Sequence, residues 1–330
     1  MTAKKTLLVA ALSCLLPAKG HTHHTSQVTR IGAPPATTSS SIHERKEPPR
    51  LSLGLALSFS YFGRARFGSE PYVKNALGKA WVETNTLDLT VALPKRFLVG
   101  VFVPAGVIQV RSPNRGNRTT TGLGDITLAL EKQFQSPSSA PWLRVSFRSG
   151  LSLPTGEYRS ESAFLFSEIA GGPNGEVGLR TYDSRAGLGA DTFSLSGSVD
   201  VSARVHPNVV IRNTTAIRVP LGQTRDEIRW GSDISSAISL GGSLTETVAL
   251  VGGAGFRMHL PDETRMVEGP GTHVRTGGRQ DVAIELGLSV SITRALSCAA
   301  QARYPVWRHV SGVQLVDSFG LETNCRFNVQ

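Results

Sequence analysis

From residue 51 onward, apolar and small polar residues alternate along the chain in segments of about ten to fourteen positions. The segment Leu51–Tyr61 is typical, because every odd position is apolar and every even position is Ser, Gly or Ala. Successive side chains of a strand point to opposite faces, so each segment predicts a strand with one apolar and one polar face. The pattern predicts strands at 51–63, 80–93, 97–110, 122–134, 142–153, 188–204, 208–220, 230–242, 246–260, 280–292, 296–308 and 317–329.

The connections between these segments alternate between short and long. Every second joint is tight and rich in turn-forming residues, as at Pro94-Lys-Arg96 and His206-Pro-Asn208. The joints between them are longer, above all 154–186 and 261–278. A soluble β-sandwich gives the same alternation but has no reason to sort its connections in this way. We therefore predict an all-β fold: a transmembrane, antiparallel, up-and-down β-barrel of about 12 strands, with its short turns in the periplasm.

The first 49 residues have a different composition. Lys4 and Lys5, an apolar run over 6–16 and the small-residue site Ala18-Lys-Gly20 are typical of a signal peptide over residues 1–20, cleaved after Gly20. A lipoprotein site at Cys14 is the alternative. Residues 21–49 are polar and Pro-rich, which predicts a disordered periplasmic tail, followed by one barrel over residues 50–330. This organisation indicates the cell outer membrane of a Gram-negative bacterium, with outer-membrane lipid as a partner.

The chain is basic, with a formal net charge of +10 and a pI near 9.9. Its basic residues are scattered over strands and loops, so we expect no nucleic acid as a partner. If the apolar face meets lipid, the polar face lines the lumen. The candidate lumen-lining residues are Arg144, Arg148, Asp200, Arg204, Arg212, Arg218, Arg257, Glu285, Arg303, Glu322 and Arg326.

Five of these arginines fall on three neighbouring strands, where Asp200 is the one clear acid. Fixed positive charge along a narrow passage favours anions. The alternative is that arginines and carboxylates neutralise one another and fill the barrel as a polar core.

The long loop over 154–186 carries an apolar patch at Phe164, Leu165 and Phe166. Such a patch predicts either a lid over the lumen or packing of the loop on itself.

Two cysteines remain in the exported chain after signal cleavage. If the last hairpin turns at Ser311 and Gly312, Cys298 and Cys325 are cross-strand partners on the outward face. A disulfide is possible in the oxidising periplasm, and two free thiols are the alternative, since directly opposed pairs strain a disulfide.

Catalysis is the function that competes with passive transport. Outer-membrane lipases use a Ser and a His on neighbouring strands, and the strand histidines here are His259 and His309. No lipase-like motif surrounds either, so we expect no enzyme, no cofactor and no metal site.

Two motifs resemble a known family. Gly122-Leu-Gly-Asp125 followed by Leu153-Pro-Thr-Gly156 is similar to the outer-membrane transporter family named for the MetA pathway of phenol degradation. Asp191 resembles the family's next Gly/Asp strand start. The resemblance implies a barrel that imports or exports small, often hydrophobic or aromatic compounds, and it implies no catalytic residue.

Pattern and resemblance together predict a passive channel or transporter for a small-molecule solute, of hydrophobic, aromatic or anionic character. The alternative is a plugged structural barrel whose long loops bind a partner. The sequence leaves the oligomeric state open.

Overall fold

The computed structural model describes residues 50–71, 79–112, 116–135, 142–156, 189–225, 229–265, 273–276, 278–293 and 295–329. The expected signal peptide and tail, the Phe164–Phe166 patch and the turn at 136–141 all lie outside the described residues. No helix in the described part of the chain is long and apolar enough to cross a membrane.

The described residues form fifteen strands and one short 3-10 turn at Pro94–Arg96. The strands are β1 (Leu51–Gly68), β2 (Glu70–Pro71), β3 (Lys79–Leu93), β4 (Phe97–Ser112), β5 (Gly116–Leu123), β6 (Thr127–Gln135), β7 (Leu143–Ser152), β8 (Phe193–His206), β9 (Val209–Leu221), β10 (Asp233–Ser243), β11 (Val248–His259), β12 (Asp262–Arg265), β13 (His273–Thr276), β14 (Arg279–Ser291) and β15 (Leu296–Val329).

All long strands are antiparallel neighbours in chain order, and β15 closes the sheet onto β1. β15 is a hairpin whose first arm pairs with β14 and whose second arm pairs with β1, from Leu51 opposite Val329 upward. Counting β5 with β6 as one crossing and β15 as two, twelve crossings close the barrel, so the predicted architecture is confirmed. Closure removes sheet edges, whose unpaired backbone groups have no partner in hydrocarbon.

The two faces of the barrel wall differ as the alternation predicts. Large apolar side chains are exposed on the outward face, as for Leu130, Phe147 and Leu286. The inward face carries buried Ser, Thr, Asn, Asp and Arg. Apolar side chains on the outer face of the wall are required where that face contacts the hydrocarbon core of a membrane.

Two departures from the predicted strands coincide with acidic residues. The crossing predicted at 122–134 is interrupted between β5 and β6, at residues 124–126, and the strand predicted from residue 188 starts at Phe193. Both departures occur where Asp125 and Asp191 bind backbone or side-chain donors outside the sheet ladder.

Four register shifts distort the pairing of the last hairpin. One lies between Val282 and Ala283 in the pairing of β14 with β15, and three lie in the pairing of β1 with β15, between Tyr61 and Phe62, between Phe62 and Arg64, and between Phe67 and Gly68. A bulge adds one residue to one strand, so side chains beyond it exchange faces.

Candidate functional site: the lumen wall

The candidate lumen residues lie at inward positions of their strands. The structure places Arg144 and Arg148 on β7, Asp200 and Arg204 on β8, Arg212 and Arg218 on β9, Arg257 on β11, Glu285 on β14, and Arg303, Glu322 and Arg326 on β15. These eleven do not form one ring; they divide into groups on opposite sides of the barrel.

One group, which we call the carboxylate core, surrounds Asp281 and Asp317. Asp317 accepts hydrogen bonds from Arg303 at 2.8 Å and from Arg308 at 2.8 Å, and it also pairs with Arg279. Asp281 pairs with Arg279 at 2.8 Å and with Arg303. Each carboxylate is therefore shared by more than one guanidinium, as buried charges require.

The carboxylate core excludes most water. The side chains of Arg308 and Asp281 are 4% and 2% exposed to solvent, and that of Arg303 is 11% exposed. Glu285 extends the group by accepting from Gln301 Nε2 at 2.6 Å. This side of the lumen is filled by its own side chains, as the alternative of a packed polar interior predicts.

Arg279, Arg308 and Asp317 were missed in the sequence. Alternation assigns Arg308 and Asp317 to the outward face, but each lies beyond a bulge that reverses the alternation and turns its side chain inward. Arg279 was missed because the predicted strand began one residue later. The bulges leave little trace in the polar/apolar pattern: the run His309-Val310, next to Arg308, breaks the alternation.

The second group, which we call the basic wall, lies across the lumen on β6 to β9. Arg148 donates to Glu131 at 2.9 Å through Nε, and Arg212 pairs with Asp200. Asp200 also accepts from Thr214 Oγ1 at 2.6 Å. Five arginines of β7 to β9 face Glu131 and Asp200 on β6 and β8, and Arg218 also pairs with Asp233 of β10 at 3.9 Å, so arginines outnumber carboxylates on this wall.

Part of the basic wall keeps contact with water. The Arg148 side chain is 29% exposed, against 4% for Arg308 across the lumen, while Arg212 and Arg218 are 12% and 11% exposed. Arg144 makes no ion pair with any described residue, and Arg96, Asp200 and Arg204 are among the charges that act on it. An incompletely neutralised cation on a wet wall can attract an anion from solution.

The third group is a single ion pair, formed by Asp88 and Arg326 near the periplasmic end. Arg326 donates to Asp88 at 3.0 Å, and both side chains are buried. Gly54 lies between them on β1, and a Cβ there would stand 2.2 Å from Asp88 Oδ2. The absence of a side chain at position 54 is what allows Asp88 to reach across β1.

The residues of the family-like motifs meet at one place near the long-loop rim. Asp125 accepts from the backbone N–H of Gly156 at 3.0 Å and of Ala190 at 2.8 Å. Thr155 Oγ1 accepts from Ile126 N at 2.9 Å, beside the same break in the strand. We call this arrangement the Asp125 clamp: it holds both described ends of the long loop against the interruption between β5 and β6.

Asp191, next to Ala190 of the clamp, binds Arg225. It adopts a φ of 55° and accepts from Arg225 Nε at 3.0 Å and from Arg225 N at 2.9 Å. Burial raises the pKa of Asp191, but the hydrogen bonds and charge of Arg225 outweigh it and hold the pKa below its ordinary value.

The two strand histidines have different surroundings. His259 lies between Asp233, at 2.7 Å from Nδ1, and Asp262, at 3.0 Å from Nε2, and its side chain is largely buried. His309 is exposed and contacts Ser69 Oγ at 3.0 Å through Nδ1, with no described carboxylate or amide on its other nitrogen. A Ser/His pair without an orienting group lacks the arrangement that activates a nucleophile. The described residues contain no cluster of His, Cys, Asp and Glu suited to a metal ion.

Cys298 and Cys325 are joined in the structure. Their sulfur atoms form a disulfide across the two arms of β15, with 4.1 Å between the Cα atoms. The bridge lies on the outward face near the periplasmic end.

Comparison with known proteins supports the fold. The chain is similar to the COG4313 outer membrane channel from Pseudomonas putida F1, with a TM-score of 0.66 and 13% identity over 85% of this chain and 96% of that one. Two other channels are less similar in structure. The NanC porin has a TM-score of 0.45 and 6% identity over 84% of this chain and 100% of that one. A deltaS2 mutant of the TodX monoaromatic hydrocarbon channel has a TM-score of 0.44 and 12% identity over 90% of this chain and 93% of that one. No family model and no curated protein matches the chain. The resemblance to the MetA-pathway family therefore stays a prediction.

Proposed function

We propose that the protein is a passive outer-membrane channel for small solutes and that its path runs along the basic wall. The observation that carries the proposal is the asymmetry of the lumen: Arg148 remains partly exposed while the carboxylate core opposite is closed to water. Fixed arginines with too few carboxylates favour small anions over cations. Hydrophobic or aromatic solutes, which the family resemblance implies, are the other class of cargo.

Ion permeation tests this proposal directly. Purified protein in a planar bilayer should conduct, and the reversal potential in a salt gradient should show anion preference. Arg144→Gln should reduce that preference without leaving a carboxylate unpaired, because Arg144 has no ion-pair partner within the described residues. Arg225→Gln is a matched control, since Arg225 binds Asp191 outside the lumen wall. Cation preference of the parent channel would contradict the anionic assignment.

The buried carboxylate core favours a second candidate, a barrel plugged by its own side chains. In that case the long loops would carry the function by binding a partner at the cell surface. The same recording separates the two: no conductance at any applied voltage favours the plug.

A further inference from the structure

The outward face of β1, β3 and β4 carries an unusual group at the long-loop end. Lys79 and Arg111 are directly opposite each other in the register of β3 and β4, and both are exposed. Directly opposed side chains have Cβ atoms about 4.5–5.5 Å apart, and like charges at that spacing destabilise a sheet. Neither residue makes an ion pair within the described part of the chain. Among the described residues, the pair therefore has no counter-charge that would offset its repulsion.

Aromatic rings lie directly below this pair. The Arg111 guanidinium stands 4.9 Å from the centre of the Trp81 ring. Trp81 packs on Tyr61, with ring centres 5.6 Å apart, and Tyr61 packs on Phe319 at 5.7 Å. Such rings are typical of the boundary between hydrocarbon and headgroups.

The height of the pair can be worked out from the strand geometry. The apolar band of an outer-membrane barrel is about 25 Å tall, and a strand that rises about 3.3 Å per residue at a tilt of about 40° crosses it in about ten residues. Counting from Leu93 and Phe97 beside the tight turn, the band ends near Glu83 on β3 and Val107 on β4. Trp81 then lies at the boundary, and Lys79 and Arg111 lie in the headgroup layer of the outer leaflet.

Two exposed acids of β2 and β3, Glu70 and Glu83, make no ion pair with Lys79 or Arg111. Glu83 is exposed on the outward side of β3, but four positions along a strand separate it from Lys79 by about 13 Å. The aromatic layer stands between them.

We propose that Lys79, Arg111 and the Trp81/Tyr61/Phe319 rings form a binding site for a phosphorylated glycolipid of the outer leaflet, the lipid A part of lipopolysaccharide. A phosphate held between the two cations supplies the missing counter-charge, and the aromatic rings contact the first carbons of the acyl chains. The site lies outside the lumen, so it is independent of the proposed channel.

Native mass spectrometry of the detergent-solubilised protein, titrated with purified bisphosphoryl lipid A, tests the site. The Lys79→Gln/Arg111→Gln variant should bind roughly tenfold more weakly than the parent. A variant with the same loss of charge elsewhere, Lys132→Gln/Arg225→Gln, should bind like the parent. Heat-modifiability on gels checks that both variants fold.

Three results would overturn the proposal. The first is equal binding of lipid A by the parent and the Lys79/Arg111 variant. The second is equal binding of lipid A and its dephosphorylated form by the parent, which would leave only apolar contact. Phosphatidylglycerol is included as an anionic lipid without the glycan, and binding of it as tight as that of lipid A would contradict the assignment to glycolipid.

Discussion

Replacing Asp317 by Asn should strongly destabilise the barrel. The substitution keeps the shape and one acceptor oxygen of the side chain but removes the charge shared by Arg279, Arg303 and Arg308. Removing one partner of a buried ion pair costs about 3–5 kcal/mol, because the remaining charge stays desolvated. The side chains of all three arginines are at most 11% exposed, so water cannot replace the lost carboxylate.

The measurement is guanidinium-induced unfolding in lipid vesicles, followed by tryptophan fluorescence. Asp191→Asn is the matched control, because Asp191 also binds an arginine but Arg225 is 75% exposed, and an exposed pair contributes about 0–1 kcal/mol. Asn also tolerates the positive φ at this position. Adding Arg308→Met to Asp317→Asn should recover part of the loss, since one uncompensated charge is removed with its partner. A loss below about 1 kcal/mol for Asp317→Asn, or one equal to that of the control, would refute the account of the carboxylate core.

Three further predictions concern single features of the wall. Gly54→Val should cost about 1–3 kcal/mol in the same unfolding assay, because the new side chain would displace Asp88 from Arg326; Gly320→Ala, which meets no atom closer than 3.6 Å, should cost less. Cys298→Ser should lower the free energy of unfolding by about 3–4 kcal/mol, from the 27-residue separation that the disulfide closes, and a thiol assay on the parent should find no free thiol without reductant. Asp125→Ala should increase proteolytic cleavage in the loop after Gly156, because two backbone N–H groups lose their acceptor; unchanged cleavage would contradict the role of the clamp.

The architecture was predictable because each residue's face follows from alternation alone. Strand number, order and the sorting of short and long connections need only that pattern and the turn residues. Strand interruptions were not predictable in the same way, since the break at Asp125 depends on backbone groups of Gly156 and Ala190 that are distant in the sequence.

The candidate lumen residues also divide into those that local alternation could place and those that it could not. Arg148 and Arg212 could be placed on the inward face from local parity, and so could their acidic neighbours. Arg308 and Asp317 could not, because one extra residue in a bulge reverses the parity and only the pairing with β14 or β1 reveals it. Which arginine is neutralised and which stays wet depends on packing across the lumen, for which a single strand carries no signal.

The Cys298–Cys325 bridge has a practical consequence for preparing this protein. One of its two arms is the strand that closes the barrel, so the covalent link belongs to the element that pairs with Leu51–Gly68. Material overproduced in a reducing cytosol and recovered from inclusion bodies would start without that link. Refolding with a glutathione redox couple should therefore yield more closed barrels than refolding under dithiothreitol.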